Sequence, residues 1–219
     1  MQTSPSREIA VLISGEGTNL QALLDAAAAG TLGGRVGLVV SDRPDARGLE
    51  RARRANVEAV CIRPAEHADR TAFEAALLAE LERRDPALVV FAGFMRILRG
   101  PVLARFAGRM LNIHPSLLPK YRGLDTHRRV LEAGDRWHGC TVHFVTPELD
   151  AGPRVVQYRL AVRPEDTPET LASRVHVGEH IVLPRAVGWF LAGRLAQEGD
   201  VAVLDGKPLA EPVVVEADK

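Results

Sequence analysis

Glu8-Ile9-Ala10-Val11-Leu12-Ile13-Ser14-Gly15-Glu16-Gly17-Thr18-Asn19-Leu20-Gln21-Ala22-Leu23-Leu24 joins a short β-rich apolar run to a glycine turn and an Ala/Leu-rich segment. The apolar run is too short for a helix and continuous enough for a strand buried on both faces. After the turn, the residues from about Leu20 to Ala29 have helical spacing. Strand, glycine turn, helix is the opening unit of a parallel α/β sheet.

The alternation continues outward from that unit. Val36–Val40 predicts a second buried strand ending at Ser41-Asp42, Ala46–Ala55 a charged helix, and Glu58–Ile62 a third strand. Ala68–Arg84 carries Phe73, Leu77, Leu78 and Leu81 at helical spacing, and Ala87–Ala92 is a fourth apolar strand closed by Gly93. Repeated strand–helix alternation with right-handed crossovers is Rossmann-like. Beyond Met110–His114 and a helix at Thr126–Ala133, the strand Gly139–Thr146 faces Arg154–Val162 across the turn Asp150-Ala151-Gly152-Pro153. That pair makes the sheet mixed. Pro168–Ala192 reads as a long helix containing Pro184, and Arg194–Val203 as a small hairpin. The 219 residues fit one domain, 1–219, with peripheral tails at 1–7 and 206–219 and a loose end from Glu216.

Composition removes several classes of function. Lys plus Arg equals Asp plus Glu at 28 each, which leaves no field of one sign to collect nucleic acid or an anionic membrane. Two cysteines, Cys61 and Cys140, lie far apart, against a disulfide framework or a Cys-based zinc site. There is no leader-like apolar segment after Met1 and no run of about 18 apolar residues. A cytoplasmic protein handling small molecules is expected, as monomer or homodimer.

Two stretches carry chemistry. The glycine turn lets backbone bend sharply, and the free N–H groups at the start of the next helix favour an anion. Leu20 stands where a dinucleotide fingerprint has its third glycine, and no Gly-Lys-Ser/Thr follows, so a phosphate monoester fits better than NAD or ATP. Asp42 keeps a nucleotide ribose conceivable. The second stretch is Leu111-Asn112-Ile113-His114-Pro115-Ser116-Leu117-Leu118-Pro119-Lys120-Tyr121-Arg122-Gly123. In a strand residues i and i+2 share a face, so Asn112 and His114 point the same way, at the carboxyl end where open α/β sheets bind ligands. Asp150 is the best carboxylate partner for the imidazole, with Glu148 as rival. His176-Val177-Gly178-Glu179-His180 spells H-x-x-E-H, but Gly178 weakens a helix there and a third metal ligand is not evident.

LNIHPSLLPKYRG at 111–123 and HGCTVHFVTPELDAGP at 138–153 resemble the folate-dependent formyltransferases, and among them the branch acting on glycinamide ribonucleotide in purine synthesis. The resemblance runs from about residue 8 to 205 and includes SGEGTN and FMRIL. It implies a Rossmann-like formyltransferase fold: a mostly parallel central sheet with helices on both faces and an antiparallel C-terminal portion. It implies transfer of the formyl group of 10-formyltetrahydrofolate, a co-substrate, to the amine of 5-phosphoribosylglycinamide, without a metal. On this resemblance Asn112, His114 and Asp150 are catalytic. Gly17, Thr18 and Asn19 hold the ribonucleotide phosphate, and Glu179 faces its ribose. Arg70, Met95, Arg96, Ile97, Leu98, Asn112, Thr146, Pro147, Glu148, Leu149 and Asp150 line the folate site, with Arg70 near the folate's glutamate tail. Arg122 and Asp125 depart from the family's usual Pro and His, which alters the stiffness and charge of the loop over the site. Relatives acting on methionyl-tRNA carry a further C-terminal domain and need a basic surface, and relatives that deformylate the folate carry an N-terminal regulatory domain. Outside enzymes, the same residues suit a module that senses a phosphorylated metabolite.

Overall fold

The computed structural model describes residues 7–217. Strand β1 (Glu8–Ile13) is followed by α1 (Thr18–Ala28), β2 (Arg35–Ser41), α2 (Arg47–Arg54) and β3 (Glu58–Cys61). A 3₁₀ turn at Pro64–Glu66 leads to α3 (Arg70–Arg84), β4 (Leu88–Phe91), α4 (Pro101–Arg105) and β5 (Met110–His114). Then come α5 (Thr126–Ala133), β6 (Trp137–Phe144), β7 (Arg154–Ala161) and α6 (Pro168–Leu191). The chain finishes with β8 (Leu195–Glu198), β9 (Val201–Leu204), β10 (Lys207–Pro208) and β11 (Val213–Glu216).

The main sheet has eight strands in the order β11-β7-β6-β5-β4-β1-β2-β3. Strands β1 to β5 are parallel, while β6 runs antiparallel to β5 and β7 to β6. A small antiparallel sheet, β10-β9-β8, follows α6. This matches the expected mostly parallel sheet with an antiparallel C-terminal portion. The period-2 pattern of β1 divides the core. Ile9, Val11 and Ile13 pack with α1, α2 and α6 through Leu20, Leu23, Leu49, Val175 and Val182. Ala10 and Leu12 pack on the other face with Phe73, Leu77 and Leu81 of α3 and Val102 of α4. Each fully buried Val, Leu or Ile stabilises by roughly 1.5–3 kcal/mol, so β1, buried throughout, anchors both layers.

Several boundaries shift for local reasons. Helix α3 begins at Arg70 rather than Ala68 because the Asp69 side chain accepts from the Ala72 N–H at 2.8 Å, a cap contributing about 1 kcal/mol. Helix α4 is too short to show periodicity in sequence. The peripheral reading of the C-terminal segment needs correction at Val213–Glu216. These residues form an edge strand parallel to β7, Val213 opposite Val156 and Glu216 opposite Arg159, so Glu216 is not loose. Residues 1–6 and 218–219 of the expected tails lie outside the described residues.

The order places the functional loops. The chain runs β1, β2, β3 toward one edge, then returns to the other side of β1 with β4. The crevice at such a reversal, outside the carboxyl ends of the strands, is where open α/β sheets take ligands. Here it is bounded by the loops after β1, β4 and β5. The first two are tied together: Ser14 N–H donates to Gly93 O at 3.1 Å, and Met95 N–H to Ser14 Oγ at 2.9 Å.

Candidate active site

A cavity of about 510 Å³ opens at the carboxyl ends of β4 and β5 and is walled by the turn after β4, the loop after β5 and the loop after β6. Met95, Arg96, Ile97 and Leu98 line one side, Asn112 and His114 the floor, and Thr146, Pro147, Glu148, Leu149 and Asp150 the other side. Thus ten of the residues singled out in sequence for one ligand, together with His114, share one cavity. Leu98 is buried, whereas Met95 and Leu124 at the mouth are 68% and 76% exposed. Such a pocket, mostly apolar with a few convergent polar groups, suits a flat heterocycle.

The floor is a hydrogen-bonded set. Asn112 Nδ2 lies 3.1 Å from His143 Nε2, while His143 Nδ1 donates to Phe144 O at 2.9 Å. Burial holds the His143 imidazole near a pKa of about 4, so it is neutral at physiological pH. With its one proton on Nδ1, its Nε2 accepts, and the Asn112 group facing it must be the NH₂. Asn112 has a second amide proton for the cavity. His143 falls within the expected strand Gly139–Thr146, but nothing in the sequence gave it a role. Its signal was the i, i+31 partnership across antiparallel β5 and β6, which only the register reveals.

His114 is buried on the same face of β5. Its Nε2 donates to Tyr121 O at 2.9 Å, and its Nδ1 is 3.4 Å from Asp150 Oδ2. Asp150 Oδ2 also accepts from the Gly123 N–H at 3.0 Å, and Oδ1 stands 3.7 Å from His143 Nε2. Asp150 adopts a left-handed conformation with φ 49°, strained for a residue with a Cβ by roughly 1–3 kcal/mol. The turn that spends this strain puts a buried carboxylate between two imidazoles. Glu148, the rival carboxylate, has a side chain 73% exposed that pairs with Arg122 at 2.6 Å across the loops.

The glycine turn lies at a neighbouring position. Gly17 caps α1 with φ 70°. A Cβ on Gly17 would come 2.6 Å from Gly48 Cα, so glycine is required there by the approach of α2 and by the positive φ. Asn19 Nδ2 donates to Glu179 Oε2 at 2.7 Å, joining the turn to α6. Burial pushes the Glu179 carboxyl up, against the hydrogen bond from Asn19, which lowers it. Asn19 Oδ1 is buried without a hydrogen-bond partner among the described residues. Gly17, Thr18, Asn19 and Glu179 are therefore assembled as one polar group apart from the lining of the main cavity.

Arg70 is the outlying member of the expected set. Its Nε donates to buried Glu74 at 2.7 Å and its Nη2 to Ile97 O, which bolts α3 to the turn after β4. Asp42 Oδ2 accepts from Arg96 Nε at 2.7 Å, whereas its Oδ1 is buried with no hydrogen-bond partner among the described residues. His176 and His180 stack with centroids 6.5 Å apart, and among the described residues no group of three or more His, Cys, Asp or Glu is placed to hold a metal ion. No described helix is long and apolar enough to cross a membrane.

The chain is 46% identical over 201 residues to phosphoribosylglycinamide formyltransferase of Escherichia coli K12, covering 92% of this chain and 95% of that one. Among solved structures, a phosphoribosylglycinamide formyltransferase from Coxiella burnetii superposes with a TM-score of 0.91 at 50% identity, covering 96% of this chain and 99% of the other. Glycinamide ribonucleotide transformylase 1 from Symbiobacterium toebii superposes with a TM-score of 0.89 at 48% identity, over 93% and 97% of the two chains. The model of the formyl transferase family matches residues 7–187, which span the glycine turn, the floor of the cavity and Glu179. The chain belongs to the formyl transferase family.

Proposed function

We propose that the chain transfers the formyl group of 10-formyltetrahydrofolate to the glycinamide amine of 5-phosphoribosylglycinamide, a step of purine synthesis carried out in the cytoplasm. The observation that carries this reading is the Asn112–His143–Asp150–His114 set on the floor of an apolar cavity, beside a separate polar site at Gly17–Asn19 and Glu179. One site suits a folate and the other a phosphorylated ribose. The relatives named above carry the same activity in their names.

Formyl transfer requires the amine nitrogen to attack the formyl carbon, negative charge to develop on the formyl oxygen, and the bond to the folate nitrogen to break. One proton leaves the attacking amine and one reaches the leaving nitrogen, so no net proton is released. Asn112 donates its second amide proton to the developing oxyanion, with its orientation fixed by neutral His143. His114 is fixed at Nε2 by Tyr121 O, so its Nδ1 edge toward Asp150 is the one that exchanges a proton. The Asp150 carboxylate, held by the Gly123 N–H, accepts the amine proton and the pair returns it to the leaving nitrogen. Met95, Ile97 and Leu98 bury the heterocycle while backbone groups of the two flanking loops read its polar edge. Glu179 accepts from ribose hydroxyls, and N–H groups at the start of α1 bind the phosphate. Arg70 supports the Ile97 turn and lies within reach of the folate's glutamate tail.

The test is direct: purified protein mixed with both substrates, turnover followed by folate absorbance and the formylated ribonucleotide identified by mass. Absence of product with active folate and ribonucleotide would remove the reading.

A further inference from the structure

We infer that Arg51 is a positioning residue for the substrate phosphate: from behind the glycine turn it orients the Gly17 N–H and adds a fixed positive charge to the anion site. This rests on the proposed ribonucleotide reading of that turn. Arg51 lies on α2, whose N-terminal end packs backbone to backbone against the turn at Gly48 and Gly17. Its Nε donates to Glu16 O at 2.8 Å, and its Nη1 to Gln21 Oε1 at 3.1 Å on the first turns of α1. One guanidinium thus grips both the turn and the helix that the turn opens. Gly48 N–H donates to Gly15 O at 3.1 Å. Two successive carbonyls, of Gly15 and Glu16, are therefore drawn toward α2.

In a trans peptide the carbonyl and the following N–H point in opposite directions. Pulling the Glu16 carbonyl toward Arg51 therefore turns the Gly17 N–H away from α2. The same argument applies to the Gly15 carbonyl and the Glu16 N–H. Successive N–H groups aimed one way at a helix start form an anion-binding concavity. The Arg51 stem passes within van der Waals reach of where a Gly17 Cβ would stand, 3.6 Å at Cδ, so its charge sits directly behind this concavity. Arg47 lies one turn earlier on α2, but its Nη1 is engaged with the exposed Glu16 carboxylate at 3.2 Å. Arg51 has no carboxylate partner among the described hydrogen bonds and ion pairs, so its charge is available to an anion.

Arg51→Gln removes the charge and the Nε–H while keeping an apolar stem. The KM for the ribonucleotide is expected to rise about ten- to a hundredfold, as for the loss of a charge-assisted interaction. At saturation kcat is expected to stay within about twofold, and the KM for 10-formyltetrahydrofolate to stay unchanged. The deciding measurement uses the 5′-dephosphorylated substrate, on which wild type and Arg51→Gln are expected to have equal kcat/KM. A loss of the same size on that substrate would overturn the proposal, since it would mark a general packing defect. So would an unchanged ribonucleotide KM. If Arg51→Gln does not fold, Arg51→Lys serves, with a smaller effect in the same direction and the same dependence on the phosphate. Titration of inorganic phosphate against the backbone amide resonances of Gly17, Thr18 and Asn19 separates this inference from the activity. Shifts in wild type that vanish in Arg51→Gln support it even if no formyl transfer is found, and their persistence in the variant overturns it.

Discussion

Asn112 Nδ2 and His143 Nε2, 31 residues apart in sequence, face each other at 3.1 Å across antiparallel β5 and β6. Because His143 spends its proton on Phe144 O, it fixes which end of the Asn112 amide faces the cavity. His143→Phe is expected to leave both ligands bound with KM changes within about threefold, while kcat falls roughly ten- to a hundredfold as the oxyanion donor loses its orientation. Steady-state kinetics with either substrate saturating would check this. A normal kcat would show that Asn112 orients without its partner.

Asp150 and Glu148 stand two residues apart in contrasting settings, one buried between imidazoles and one exposed and paired with Arg122. Asp150→Asn is expected to lower kcat and kcat/KM together by roughly two to four orders of magnitude, as for loss of a group doing acid–base work. Glu148→Gln breaks a surface ion pair contributing no more than about 1 kcal/mol and is expected to change kcat less than about twofold. The reverse outcome, with both variants unfolding at the wild-type temperature, would move the catalytic carboxylate to Glu148.

Half-buried His127 and buried His138 join Nδ1 to Nε2 at 3.0 Å. Burial holds His127 at about 4 and His138 at about 3, below the ordinary 6.5. In the unfolded chain both take up protons as pH falls through about 6.5, whereas in the folded chain they resist. Stability from this pair is therefore complete above about pH 6.5 and is lost progressively toward pH 4. Thermal unfolding from pH 7.5 to 4.5 is expected to show a falling midpoint, with a shallower slope in His138→Gln. A slope unaffected by that substitution would assign the acid sensitivity to other groups.

Gly17→Ala adds a Cβ that meets Gly48 Cα at 2.6 Å in a backbone with positive φ. It is expected to destabilise by roughly 1–3 kcal/mol and to weaken the ribonucleotide more than the folate. Denaturant unfolding and separate binding titrations check the two parts.

Exhaustive chelation is expected to leave formyl transfer intact. Glu179, the carboxylate inside the H-x-x-E-H spelling, is engaged with Asn19, and the proposed mechanism draws its proton transfer and oxyanion stabilisation from protein groups alone. Loss of activity on chelation, restored by stoichiometric zinc, would reverse this.

The sequence by itself determined the alternation of strands and helices, because apolar runs such as Ile9–Ile13 and the helical spacing of Phe73, Leu77 and Leu81 are local patterns with local causes. It also determined that Asn112 and His114 share a face, since side-chain alternation follows from the strand alone. The tertiary structure decided what those side chains meet. His143 becomes the partner of Asn112 only through the register of β5 against β6, and Asp150 reaches His114 only because its turn adopts a positive φ. Val213–Val215 become an edge strand only because β7 offers unpaired backbone, a cause that lies more than fifty residues away in sequence. The same holds for Gly17. In sequence it reads as a sharp bend, and the close approach of Gly48 is a second requirement that only the packed chain reveals, because sequence records that a side chain is missing but not which neighbour requires it to be.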